Sequence, residues 1–138
     1  GNDAEEFMSH LNHYQFKYKQ RTNEKKDGCC IAWNKSEFEI WDYEAIEFNQ
    51  SDNPEMNFMN RDNVAQVVVL NQKSTNRPII VANCHILFNE SRGEIKLGQI
   101  LMLLSTIRKY QLRYGDDASS NDDNVVEGKK NLLPVLIA

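Results

Sequence analysis

Asn83–Gln99, NCHILFNESRGEIKLGQ, runs from an apolar stretch through a charged loop into a helix, and its reading settles what kind of domain this is. Ile79 to Ile86 is apolar enough to be the interior of a sheet. From Gly93 to about Leu112 the spacing predicts a helix. Leu97, Ile100, Leu101, Leu104 and Ile107 fall at i, i+3, i+4, i+7 and i+10, which predicts one continuous buried face. Asn83 and His85 are two apart on the strand and share a face, while Cys84 points the other way. At the carboxyl end of a central strand such a pair is placed to donate hydrogen bonds to a phosphate oxygen. The competing reading is a core histidine satisfied by a backbone carbonyl.

Upstream, Asp3 to Leu11 reads as a short helix with Asp3 at its N-cap. Tyr14, Phe16 and Tyr18 alternate with Gln15, Lys17 and Lys19, the period-2 pattern of a half-buried strand whose rings face the core and whose lysines face water. TNEKKDG turns the chain into CCIAW, and NKSE reverses it into Phe38–Trp41; together these segments predict an antiparallel meander. Asn49 to Asn60 is Asn-rich, aperiodic and a loop. Asn63 to Leu70 is a β-branched strand entered through Arg61-Asp62-Asn63, a polar cluster that either lines a site or makes a local turn. Residues 115–130 read as a polar, acidic loop without the spacing of a calcium loop, and LLPVLIA has the composition of a buried final strand.

The bulk numbers narrow the classes. A chain of 138 residues, 41% hydrophobic and 26% charged, makes one globular domain. A formal charge of −4 provides no global pull on nucleic acid or membrane, so phosphate recognition must be local. Cys29, Cys30 and Cys84 form no secreted disulfide framework, which points to reduced thiols and an intracellular setting, cytoplasm or nucleus. No apolar run is long enough to span a membrane, so no membrane partner is expected.

His10 and His13 with the cysteines lack zinc spacing, and nothing marks one thiol as activated. Glycine-rich phosphate loops and nucleophile elbows are absent. Lys17, Lys19, Arg21, Lys25 and Lys26 interleave with aromatics as single-stranded nucleic acid would suit, but strand alternation places the rings inward; Arg21, at the strand end, stays open.

Three stretches, YKQRTNEKKDGCCIAWNKSEFEI, NRDNVAQVVVL and VANCHILFNESRGEIKLGQILMLLSTI, occur in an order that resembles the deadenylase-like branch of the endonuclease/exonuclease/phosphatase superfamily. That branch holds the carbon catabolite repressor deadenylases, nocturnin and the Angel proteins. The combination of K-x-R-T, D-G-C, N-R-D-N-V and a strand–loop–helix like R-G-D-I-K-L-x-Q is most similar to Angel. The resemblance implies an α/β (α+β) fold, part of a four-layer sandwich of two mostly antiparallel mixed sheets flanked by helices. It also implies magnesium-dependent hydrolysis of a phosphodiester at RNA 3′ ends, by a deadenylase or exoribonuclease or by a 2′,3′-cyclic phosphatase. RNA, as a 3′ end or poly(A), is the implied partner. His85 matches the position that donates to the scissile phosphate, and Asn63 an asparagine lining the site. Arg21, Asp62, Lys96 and Gln99 match recurrent positions that shape the cleft; Asn83 and Asn89 complete the candidates for substrate binding or cleft shaping.

The departures are as informative. The metal-binding glutamate segment of the family would precede Gly1, and G-D-F-N-S would follow Ala138; the late S-D-H segment is missing as well. The resemblance therefore implies that residues 1–138 are an internal segment of one catalytic domain, with no metal ligand within this chain and no activity alone. Where the family reads N-P-R-R-G-D this chain reads Asn89-Glu90-Ser91-Arg92-Gly93-Glu94, which makes the phosphate side less positive. The alternative is a non-catalytic, truncated relic that binds RNA or a protein partner.

Overall fold

The computed structural model describes Glu6 and residues 10–115 and 132–138. Among the described residues the elements follow in the order β1 (Tyr14–Gln20), β2 (Gly28–Asn34), β3 (Phe38–Glu47), β4 (Val64–Gln72), β5 (Arg77–His85), α1 (Gly93–Tyr114) and β6 (Val135–Ile137). β1 and β2 pair antiparallel as a two-stranded sheet; the other four form a second sheet in the order β3-β4-β5-β6. β3, β4 and β5 are antiparallel neighbours, and β6 joins β5 in parallel with Ile80 opposite Val135. A parallel return needs a long crossover, and the stretch containing α1 provides it.

β4 explains the arrangement. Its first eight residues are all buried because both faces of the larger sheet are covered. Val68 and Leu70 meet Ile31 and Trp33 of β2 on one face. Val67 and Val69 meet Leu103, Ile107 and Tyr110 of α1, with Ile46, Ile80 and Ala82, on the other. Each fully buried valine or isoleucine side chain contributes about 1.5–3 kcal/mol to this packing. The result is α+β: a small sheet, a mixed sheet and a helix layer stacked in that order.

Several expectations are corrected. The meander breaks after β2, because β3 pairs with β4 and not with β2. Asn34 Oδ1 accepts from the Ser36 N–H at 2.9 Å, and this turn carries the chain from one sheet to the other. It does so because Ile31 and Trp33 must face the larger sheet to be buried.

The side of β1 that faces the larger sheet is not the expected one, although Lys17 stays exposed and Phe16 and Tyr18 are half-buried as the alternation suggests. Gln15, Lys17 and Lys19 lie opposite Trp33, Ile31 and Cys29, the buried side of β2, so they face the larger sheet. There the Lys17 ammonium lies 5.1 Å from the Tyr43 ring centroid, and Lys19 pairs with Glu47. Both lysines reach the charged edge strand β3, their long stems covering apolar surface on the way and still ending on a partner.

The face of α1 is also rotated. Ile95, Gln99, Leu103, Ile107 and Tyr110 are buried, whereas Leu97, Ile100, Leu101 and Leu104 are exposed. α1 has apolar residues nearly all round, and two polar groups decide which side turns inward. The Tyr110 hydroxyl reaches Glu44 Oε2 at 3.1 Å, and Gln99 bonds the strand ends described below. β6, whose composition suggests burial, is exposed because among the described residues it is an edge strand paired with β5 alone. The Asn49–Asn60 segment is a run of turns, closed by the Gln50 N–H donating to the Met59 carbonyl at 2.7 Å. Most of the helix expected over Asp3–Leu11 and all but Gly115 of the 115–130 loop lie outside the described residues.

Candidate functional site

The end of β1, the start of β2, the entry to β4 and the end of β5 converge, and Asn63, Gln99, His85, Asp27 and Arg21 meet there, joined by hydrogen bonds except between His85 and Asp27, which approach as a polar contact. The Leu87 backbone N–H donates to Gln99 Oε1 at 2.9 Å. Gln99 Nε2 donates to Asn63 Oδ1 at 3.3 Å, and Asn63 Nδ2 lies 3.0 Å from His85 Nδ1. The other ring nitrogen, His85 Nε2, is 3.3 Å from Asp27 Oδ2. Arg21 NH1 donates to the same carboxylate, at 3.0 Å to Oδ2 and 3.3 Å to Oδ1.

The chain runs from the interior to solvent. Gln99 and Asn63 are buried, the His85 side chain is 39% exposed and that of Asp27 is 53% exposed. A buried amide end gives the imidazole a fixed orientation, and an open end gives a ligand access to it. Arg21 beside Asp27 holds that carboxyl below its ordinary range, chiefly through the hydrogen bond, so Asp27 is an anion at neutral pH. Arg21 and His85 thus converge on one anionic group.

Asp62 fixes the outer wall. Its Oδ1 accepts from Asn49 Nδ2 at 2.9 Å, Thr22 Oγ1 at 3.0 Å and Asn23 Nδ2 at 2.6 Å. The Asn49 contact leads in depressing its pKa. Its backbone carbonyl accepts from Arg21 Nε at 3.0 Å. One aspartate therefore fastens the β1–β2 turn, in which Asn23 and Glu24 have φ of 53° and 60°, to the entry of β4. The local-turn reading of Asp62 is replaced by a clamp between distant segments.

The remaining candidates stand apart from this chain. Asn83 shares the face of His85, but its Nδ2 donates to the Cys30 carbonyl at 3.1 Å and ties the two sheets together. Asn89 Oδ1 accepts from Ser91 N at 3.0 Å and Ser91 Oγ at 2.8 Å, a local turn. Lys96 is half-buried in the first turns of α1, where its charge acts on Glu94. Arg92, the arginine retained in the loop, has its Nε 2.7 Å from Glu94 Oε1.

Asp27 escapes a reading of the sequence. In TNEKKDG it looks like a turn residue before Gly28, where a Cβ would lie 2.3 Å from the Lys19 carbonyl oxygen. Its one signal is that the turn must be tight enough to bring position 27 back beside Arg21. Cys29, nearby, is no nucleophile: burial pushes its thiol up to about 11.

Among the described residues no group of three or more His, Cys, Asp or Glu side chains could hold a metal ion. At this end the one carboxylate in the chain, Asp27, is already engaged by Arg21 and His85. These residues do not fit a magnesium site. No helix among the described residues is long and apolar enough to cross a membrane. The hollows of about 370 Å³ beside Trp33 and about 680 Å³ beside Phe58 include none of these residues.

No protein-family model matches the chain. Carbon catabolite repressor protein 4 homolog 3 of Arabidopsis thaliana is 38% identical over 105 residues, 75% of this chain and 22% of that protein. Protein angel homolog 2 of Bos taurus is 42% identical over 97 residues, 68% of this chain and 17% of that protein. The chain thus spans about a fifth of the length of these relatives. Among solved structures, ANGEL2, described as a 2′,3′-cyclic phosphatase in complex with adenosine-2′,3′-vanadate, superposes with a TM-score of 0.73 at 36% identity, covering 85% of this chain and 32% of that one. The human Nocturnin catalytic domain with bound sulfate shares the fold, with a TM-score of 0.65 at 17% identity over 78% of this chain and 41% of that one. Matched in sequence to a carbon catabolite repressor protein and the angel proteins, and in fold to ANGEL2, the chain belongs to the deadenylase-like branch of the endonuclease/exonuclease/phosphatase superfamily, near Angel.

Proposed function

We propose that this chain forms the phosphate-positioning part of a magnesium-dependent phosphodiesterase that acts on RNA 3′ ends. The observation that carries the reading is the convergence of Arg21 and His85 Nε2 on a single carboxylate, Asp27. A guanidinium and an imidazole N–H aimed at one point suit a phosphoryl oxygen as well as a carboxylate. In hydrolysis of a phosphodiester, negative charge develops on those oxygens, and fixed donors there lower the barrier. Asp27 would swing aside or share Arg21 as substrate enters; its exposure leaves it free to do so.

Between a poly(A) tail and a 2′,3′-cyclic phosphate, the second is favoured, because ANGEL2 carries that activity and was crystallised with a 2′,3′-vanadate of adenosine. Magnesium belongs to the proposal, held by carboxylates other than the described ones. Asn63 and Gln99 support His85; Arg21, Asp62 and Asn83 shape and brace the cleft. An intracellular setting, cytoplasm or nucleus, belongs to the same proposal, and the three free cysteines support it.

The test uses a catalytic domain containing this segment, assayed with magnesium on RNA ending in a 2′,3′-cyclic phosphate and on poly(A). His85→Ala should lower turnover at least about tenfold, as loss of a phosphoryl donor does. Unchanged turnover would return His85 to a core role. The 138-residue chain alone should bind such RNA without hydrolysing it, and turnover by it would overturn the assignment of the metal ligands elsewhere. RNA binding without turnover even in the metal-replete domain would favour the binding-module reading.

A further inference from the structure

Amide oxygen and nitrogen are distinguished by what they must bond, and here one end of the chain is not negotiable. The Leu87 backbone N–H can only donate, so the Gln99 atom facing it, 2.9 Å away, is the oxygen. Gln99 Nε2 then faces Asn63, whose contacting atom must accept and is Oδ1. Asn63 is left to present Nδ2 to His85, and an amide N–H₂ can only donate. His85 Nδ1 is therefore the acceptor, and the ring proton of the neutral imidazole sits on Nε2. An independent contact agrees: Nε2 faces the ionised Asp27 carboxylate at 3.3 Å, where a bare lone pair would be repelled.

We infer that Gln99 is a positioning residue that sets the tautomer of His85 through Asn63, so that the nitrogen facing the cleft carries the proton. Its consequence for turnover rests on the proposed role of His85 as a phosphoryl donor; the tautomer itself does not. Gln99 touches neither the ring nor the cleft and is fully buried on α1, so its effect is transmitted by hydrogen-bond polarity alone. A residue that only filled space at this point would leave the ring proton where the ring and Asp27 prefer it.

The test is ¹⁵N NMR of the imidazole in the full chain, at a pH where the ring is neutral, since the two tautomers exchange the protonated and unprotonated nitrogen shifts. The unsubstituted protein should show Nε2 protonated in at least about a tenfold excess, the weight of one net hydrogen bond. Nδ1 protonated in the unsubstituted protein would overturn the inference without any substitution. Asp27 also favours the Nε2 proton, so both Gln99 substitutions are made in an Asp27→Ala background; there Gln99→Leu should free the Asn63 amide to turn over and bring the two forms to within about threefold of each other. Gln99→Glu, read with its carboxylate ionised, offers only acceptors and should reverse the chain, moving the proton to Nδ1. A tautomer unaffected by both changes would also overturn it. In the catalytic domain, Gln99→Leu should lower kcat by up to about fourfold, in proportion to the lost Nε2-protonated fraction, with little change in KM. If the tautomer shifts and kcat does not, the polarity chain stands and the donor role of His85 falls.

Discussion

Leu101 and Leu103 are two residues apart in the middle of α1, identical in type and in helix propensity, yet 57% and 3% exposed. Truncating each to alanine isolates burial. Leu103 packs into the cluster with Val67, Val69, Ile80 and Ile107, so Leu103→Ala removes buried carbons and leaves a cavity, at a cost of about 3–5 kcal/mol. Leu101 has a little over two-fifths of its surface covered, which at about 0.8 kcal/mol per buried methylene sets the cost of Leu101→Ala near 1 kcal/mol. The difference, about 2–4 kcal/mol, is read as separated urea midpoints at unchanged m, or as a gap of roughly 6–15 °C in Tm. Equal costs would refute the assigned face of α1: either the helix is turned toward the stripe of Leu97, Ile100, Leu101 and Leu104, or that stripe is covered in solution.

Gly28→Ala should disrupt the β1–β2 hairpin, because the added Cβ would meet backbone at 2.3 Å and 2.9 Å; Gly93→Ala, with nothing within 4 Å, should leave the midpoint within about 0.5 kcal/mol of the parent. Asp62 has a folded-state pKa below its ordinary 3.8, so its contribution is present above that value and is lost as pH falls through the lower folded value. Asp62→Asn should therefore cost about 1 kcal/mol at pH 7, a figure reduced for solvent screening, and the gap between the two acid-unfolding curves should close as the pH falls below the ordinary carboxylate range. Alkylation with iodoacetamide at pH 7.5 should modify the exposed Cys30 first and spare Cys29, which is buried and has its pKa pushed up to about 11, until the chain unfolds; mass spectrometry of the peptides reads the order.

Much of this arrangement is legible where one physical demand acts alone. β4 can be found from its β-branched run because both its faces are buried, and α1 from its apolar spacing. The shared face of Asn83 and His85 follows from strand alternation, as does the separation of Cys84 from them. Legibility fails where two demands compete. The inward side of α1 is chosen by where Gln99 and Tyr110 find partners, which hydropathy does not weigh. The inward side of β1 is set by which strand lies beneath it, so Lys17 faces Tyr43 although Tyr14, Phe16 and Tyr18 look like the core side. Asp27 is hidden because its role comes from Arg21 and His85, six and fifty-eight residues away, and a turn aspartate reads the same with or without them. Asn83 lies on the face that alternation predicts, but its amide donates to the Cys30 carbonyl of the neighbouring sheet.

The contact between Asp27 and His85 also has a kinetic meaning. Asp27 lies in the turn that joins the two strands of the smaller sheet and His85 ends β5 of the larger one, so their approach needs both sheets formed and docked. The hairpins β1–β2 and β4–β5 close over short stretches and can form early, whereas joining them brings together residues far apart in sequence, the kind of closure that slows folding. The anion seat is then among the last features to assemble, and ligand affinity during refolding would trace sheet docking as a clock separate from the appearance of strands.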